Sequence, residues 1–211
     1  MRIINAGYEI YTLLDGDYIL KTIEGIARRC YKSEDKITDT SAPGMVRNLI
    51  KRGHEAMLEH YSFTVIFTVD RGVSHEIVRH RMASYAQEST RYCNYHLDKF
   101  GNEITVIAPF FYKEDPQKFD AWRHAMEQAE SIYFYLLQTG STPQEARSVL
   151  PNSLKTEICV TMNLREWRHF FKLRACDYTG AAHPQIKEVA VLLLNELKQI
   201  IPVVFDDLEV K

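Results

Sequence analysis

Residues 61–69 carry a two-residue period, with Phe63, Val65, Phe67 and Val69 on one side and Ser62, Thr64, Ile66 and Thr68 on the other. Side chains of a strand point alternately to its two faces, so this run predicts a β-strand with one face on a core. It passes through Asp70-Arg71-Gly72 into helical spacing, where Val73, Ile77 and Val78 form the buried side of a helix expected over 73–82. A second stripe, Trp167, Phe170, Phe171 and Arg174 at i, i+3, i+4 and i+7, predicts a helix over 164–175 that turns an arginine toward its packed side. Strand and helix periods mixed in this way predict an α/β (α+β) protein.

The remaining segments fit the same class. Strands are expected over 8–13, 104–109 and 155–162, and helices over 18–31, 45–51, 115–138 and 185–201. Ala42-Pro43-Gly44 reads as a turn ahead of the 45–51 helix, which Gly53 stops. Thr142 followed by Pro143 predicts a capped helix running to Leu150 and ended by Pro151. With no linker and no repeat, the chain of 211 residues is expected to form a single domain, 1–211.

Charge and motifs narrow the function. The 26 basic and 28 acidic residues nearly cancel, so no global field favours nucleic acid or an anionic membrane, and any phosphate recognition has to be local. Cys30, Cys93, Cys159 and Cys176 form no Cys-x-x-Cys pair, which argues for reduced thiols and against a zinc ribbon. No leader opens the sequence and no apolar run approaches the roughly 18 residues of a membrane span, so a soluble, cytoplasmic protein is expected. No Gly-x-Ser-x-Gly elbow, P-loop or Gly-x-Gly-x-x-Gly occurs, leaving a cofactor as the simplest source of chemistry. His54 and His60 flank Glu55 and Glu59, but a metalloprotease helix needs its histidines four apart, and no metal is expected. His75, His96, His124 and His183 form no constellation.

Residues 79–92 are the part that packing does not explain. Arg79, His80 and Arg81 are expected near a helix end, with Glu76 within reach at spacings of three and four. After them an extended stretch is expected to put Gln87, Ser89 and Arg91 on one face, where donors two residues apart can converge on a phosphate.

Together these residues resemble the signature of the flavin-dependent thymidylate synthases. The likeness rests on Arg79-His80-Arg81 followed by Ser84, Gln87, Ser89, Arg91 and Tyr92, on residues 53–60, on Ala146-Arg147 with Leu150-Pro151, on residues 163–169, and on Leu173-Arg174. It implies an enzyme that converts dUMP to dTMP with FAD, taking carbon from 5,10-methylenetetrahydrofolate and reducing power from NADPH. It implies a homotetramer with active sites shared between subunits, on a family-specific fold whose central, mostly antiparallel sheet is flanked by helices and is not a Rossmann sheet.

Carried over by position, Arg79, His80 and Arg81 would lie along the FAD, with Asn163, Leu164, Arg165 and His169 on the facing element and Gln87 touching both ligands. Ala56 stands where the family carries Ser or Thr, which leaves a backbone contact to the cofactor. For dUMP the resemblance implies Glu76, Arg79, Gln87, Glu88 and a phosphate cradle of Ser89, Thr90 and Arg91, joined by Arg147 from another subunit. Glu76 stands where Gln is common. Arg174 would meet the uracil ring as the catalytic residue and stabilise the charge that develops there, with no protein nucleophile. Two other functions fit parts of the pattern: a single-stranded nucleic-acid module using Arg79, Arg81 and Arg91 with Tyr85, Tyr92 and Tyr95, and a metal-dependent phosphohydrolase around His54, Glu59 and His60.

Overall fold

The computed structural model describes residues 1–93, 95 and 101–210. Its strands are β1 (Arg2–Ile4), β2 (Gly7–Ile10), β3 (Ser62–Asp70), β4 (Ala83–Gln87), β5 (Thr105–Ile107) and β6 (Lys155–Asn163). Its helices are α1 (Gly16–Tyr31), α2 (Ala42–Lys51), α3 (Arg71–Ile77), α4 (Pro116–Gln138), α5 (Pro143–Ala146), α6 (Leu164–Arg174), α7 (Pro184–Ile200) and α8 (Pro202–Phe205).

Four strands form an antiparallel sheet in the order β2-β3-β6-β4, which places the two nine-residue strands β3 and β6 at its centre. Phe63, Val65, Phe67 and Val69 are all buried, as their alternation predicts, and β6 buries Thr156, Ile158, Val160 and Met162 in the same rhythm. β1 and β5 pair separately and in parallel, with Arg2 opposite Thr105 and Ile4 opposite Ile107. The mixed, largely antiparallel class expected from the sequence is what folds.

Several boundaries differ from expectation: α1 begins at Gly16 rather than residue 18, β2 ends at Ile10 rather than residue 13, and α5 ends at Ala146, followed by a 3-10 turn, rather than running to Leu150. The Ala42-Pro43-Gly44 segment is the first turn of α2 rather than a turn before it, because proline's fixed φ and missing N–H suit the opening of a helix. α3 stops at Ile77, not near residue 82, so Arg79 and His80 lie beyond it and do not share its face with Glu76. The Tyr85 hydroxyl donates to the Ile77 carbonyl at 2.9 Å, which satisfies one of the acceptors that a further helical turn would have used.

By its contacts the chain forms two compact units built from interleaved segments. The first comprises Met1–Tyr8, Ile66–Arg79 and Tyr85–Cys159. Its core gathers Ile104, Val106, Met126, Tyr133, Ala146 and Leu154, and the Trp122 indole donates to Ser153 Oγ at 3.1 Å. Asp115 caps α4, and Thr142 with Glu145 closes a capping box on α5.

The second unit comprises Glu9–Val65, His80–Ser84 and Val160–Lys211. Trp167 stacks on Phe63 with centroids 5.0 Å apart, Phe171 meets Phe205 edge-on, and α7 adds Ile186, Val189, Leu193 and Leu197 to the core. Truncating one such aromatic to alanine costs about 3–5 kcal/mol. Arg168 is buried in this core, with its guanidinium on both carboxylate oxygens of Asp207 at 2.7 Å and its Nε on Glu55 at 3.3 Å. The start of α1 touches the end of α7 so closely that a Cβ on Gly16 would lie 2.0 Å from the Ile200 carbonyl oxygen.

Candidate active site

In the second unit the site is organised by α6. Asn163 caps this helix, its side-chain oxygen accepting from the Glu166 N–H at 2.9 Å. Glu166, His169 with Phe170, and Arg174 then follow at i, i+3, i+4 and i+8, which puts them along one side. The imidazole of His80 lies across that side. Its ring meets Phe170 at 5.0 Å and His169 at 5.7 Å, both edge-on. Arg174 Nε donates to His80 Nε2 at 3.2 Å, and His80 Nδ1 stands 3.4 Å from a carboxylate oxygen of Glu166.

This surrounding sets the charge of His80. Burial, then the Arg174 guanidinium and His169, push its pKa down to about 4, so at neutral pH the ring is uncharged and able to accept from Arg174. Burial also raises the pKa of Glu166, against the pull of His169 and Arg165. A histidine with a lowered folded-state pKa contributes stability that is complete above its unfolded value near 6.5 and is lost as pH falls toward about 4. The loss amounts to about 3 kcal/mol at full protonation. The urea midpoint of the protein should therefore fall more steeply between pH 7 and pH 4 than that of a His80→Asn variant; parallel curves would contradict the assignment.

Beside this stripe a hollow of about 410 Å³ is lined by Met82, Asn163, Arg165, His169 and Lys172, among others. Arg165 reaches Glu59, and Lys172 Nζ lies 3.7 Å from Glu55, so acidic partners hold the hollow's cations in place. Arg81 is exposed and has no ion-pair partner among the described residues. Ala56 borders a smaller hollow with Tyr31 and His54, whose hydroxyl and Nδ1 are 3.2 Å apart.

Two residues expected along the cofactor lie inward. His80 is 3% exposed, with its ring turned onto α6. Leu164 is fully buried and its N–H is held by the Tyr61 carbonyl, so neither its side chain nor its N–H is open to a cofactor. His80, Glu166 and His169 bring ligand atoms within 4.8 Å of one another, a grouping not foreseen. The Arg174 cation against His80 opposes a metal ion there. His96 lies outside the described residues.

In the first unit, β4 ends at Gln87 and the chain turns at once, with Tyr92 and Cys93 N–H groups both bonded to the Ser89 carbonyl. Ser89 and Arg91 thus meet through a turn, not through strand alternation. Arg147 donates to Thr90 Oγ1 at 3.3 Å, Arg91 Nε donates to Gln144 Oε1 at 3.1 Å, and the Arg91 guanidinium lies 5.4 Å from the Tyr92 ring centre. Arg147, expected from another subunit, reaches Thr90 within its own chain. Arg71, His75, Thr90 and Arg147 line a hollow of about 260 Å³.

Neighbouring residues are committed internally. Gln87 Nε2 donates to Ser74 Oγ and Thr156 Oγ1, and Glu88 pairs with Lys155 at 3.0 Å. Glu76 is half-buried on α3, and Arg79 is exposed just past its end. Sequence reasoning missed Arg71, Gln144 and Glu166. Arg71 had been taken only as part of a strand-to-helix junction, and the other two carry no local signal.

The fold is shared with the crystal structure of a UMP/dUMP methylase, PolB from Streptomyces cacaoi, bound with 5-Br dUMP, which matches with a TM-score of 0.81 at 22% identity. That likeness covers 98% of this chain and 96% of the other. Residues 12–203 match the Thy1 family, described as thymidylate synthase complementing protein, and the chain belongs to that family. The flavin-dependent thymidylate synthase of Geobacter sulfurreducens is 35% identical over 188 residues, covering 86% of this chain and 78% of that protein. The enzyme of the same name from Pyrococcus furiosus is 37% identical over 169 residues, covering 79% of this chain and 66% of its own length.

Proposed function

We propose that this chain is a flavin-dependent thymidylate synthase, converting dUMP to dTMP with FAD as cofactor, 5,10-methylenetetrahydrofolate as carbon donor and NADPH as reductant. The observation that carries this is the Arg174 guanidinium anchored at 3.2 Å on a buried, uncharged His80. A cation fixed in this way stabilises charge developing on a pyrimidine edge without having to reorganise during the reaction. Ser89, Thr90, Arg91 and Arg147 would hold the nucleotide phosphate, since two planar guanidinium forks and two hydroxyls match its oxygens.

The donor set also suits FAD. Arg81 has no ion-pair partner among the described residues, the adjoining Met82 lines the α6 hollow, and Arg165 and His169 border it. Arg79, Arg81, Asn163, Arg165 and His169 would contact the cofactor, with Ala56 through its backbone. Bound FAD supplies the reducing hydride. The cysteines are all free, which fits a reducing cytoplasm, and among the described residues no helix is long and apolar enough to cross a membrane. The active assembly is proposed to be a homotetramer in which 1–211 works as a single domain.

Purified protein should carry flavin absorbance that bleaches with NADPH, shift its spectrum on adding dUMP, and form dTMP when methylenetetrahydrofolate is supplied. Colourless protein that makes no dTMP after incubation with FAD would end the proposal. Within it, Arg91→Ala should weaken dUMP by about 10- to 100-fold, the size of a charged hydrogen bond, while binding of deoxyuridine is unchanged. Isothermal titration checks this, and equal losses for both ligands would remove Arg91 from the phosphate site.

A further inference from the structure

We propose that Glu166 is a positioning residue: its carboxylate holds His80 in the tautomer protonated on Nδ1, and this makes Nε2 the acceptor that fixes Arg174. The inference rests on the catalytic role proposed above for Arg174.

A neutral imidazole has one donor nitrogen and one acceptor, and a guanidinium only donates. Since Arg174 Nε points at His80 Nε2 from 3.2 Å, that nitrogen has to present its lone pair and the proton has to sit on Nδ1. Nδ1 stands 3.4 Å from Glu166 Oε1, close enough for electrostatic attraction but not hydrogen-bonded to it as placed. A shift of about 0.4 Å that also turns the N–H into line brings the pair to the usual range. The other two states of the ring both fail. The Nε2–H tautomer sets two N–H groups head to head, and the imidazolium adds a second positive charge beside Arg174. The depressed pKa of His80 agrees with the first of these three states.

The ring has little freedom to escape. Phe170 and His169 pack edge-on against it, and it is almost wholly buried. Glu166 is itself seated, because its N–H is bonded to the Asn163 cap and its side chain is 12% exposed. The charged and titratable groups around the pair are Arg174, His169 and Arg165. A carboxylate that orients an imidazole by binding its far nitrogen is a general device for fixing which face of the ring does the work. Here the oriented group is a hydrogen-bond acceptor, and what it aims is an arginine.

The test uses the flavin-loaded enzyme. Glu166→Ala should lower kcat at least tenfold, leaving flavin content and the KM for dUMP within about twofold. Glu166→Gln retains an oxygen acceptor and should recover most of that loss. In a His80→Asn background, Glu166→Ala should cost nothing further, because the group it acts through is gone. Unchanged kcat in Glu166→Ala, a glutamine variant no better than alanine, or losses that add in the double variant would each overturn the proposal. A second readout does not depend on turnover or on any Glu166 variant. In wild-type protein carrying 15N-histidine, the His80 signals, identified by their loss in His80→Asn, should show Nδ1 protonated and Nε2 bare; the reverse pattern overturns the tautomer even in protein that makes no dTMP. Failure of wild-type turnover would count against the proposed function instead.

Discussion

Arg174→Ala is expected to lower the rate of dTMP formation by about 10²–10³-fold, the usual effect of removing one fixed donor aimed at developing charge. Flavin content should stay at the wild-type level, because the proposed cofactor contacts lie at Arg81, Asn163, Arg165 and His169. The size of the effect follows from how the side chain is held. Arg174 is half-buried at the end of α6, and its Nε is committed to His80, so the guanidinium plane is set before any ligand arrives. Lysine is not a substitute: it lacks the planar fork, and an ammonium cannot bond to His80 and present two further donors in the same plane. Arg174→Lys should therefore recover less than a tenth of the lost rate. Rapid-mixing measurement of dTMP, with flavin absorbance on the same samples, distinguishes lost chemistry from lost cofactor. Turnover within twofold of wild type would refute the role.

Arg168→Ala should destabilise the protein by about 3 kcal/mol, the lower end of the range for removing one partner of a buried ion pair. Burial opposes the charge on Arg168, but the two-pronged bond to Asp207 and the contacts with Glu55 outweigh it and raise its pKa above the ordinary arginine value. Alanine leaves a cavity between α6 and α8, and it leaves the Val204 carbonyl without the guanidinium that now donates to it. Asp207 is half-exposed and can return to water, which is why the loss sits at the low end. A lowered urea midpoint with an unchanged denaturant slope would support this; a midpoint within 0.2 M of wild type would contradict it.

The parts of the fold that were legible are those whose signal is local. The Phe63-to-Val69 alternation, the Trp167, Phe170 and Phe171 stripe, and the Thr142-Pro143 cap each place their own residues, and each holds in the structure. The end of α3 was not legible, because Arg79 and His80 look like the cations that favour a helix terminus. At that end the Ile77 carbonyl accepts from a tyrosine of the next strand, Tyr85. Arg168 stands next to the apolar stripe and resembles an ordinary flanking charge; its burial depends on Asp207, which lies far along the chain. The same limit applies to the site. The residues of 79–92 stood out by composition, and Arg174 stood out by its place on the stripe. Gln144 and Glu166 acquire meaning only from partners, Arg91 and His80, that neighbouring residues do not announce.

The contact between Gly16 and the Ile200 carbonyl bears on the order of assembly during translation. α1 packs chiefly on α2 and the Glu55–His60 segment, which are made soon after it, but its first turn cannot close on α7 until nearly all of the intervening polypeptide has emerged. At about 5–20 residues per second, the ribosome leaves that first turn without its α7 contact for on the order of ten seconds. The start of α1 is thus open to a chaperone for that interval.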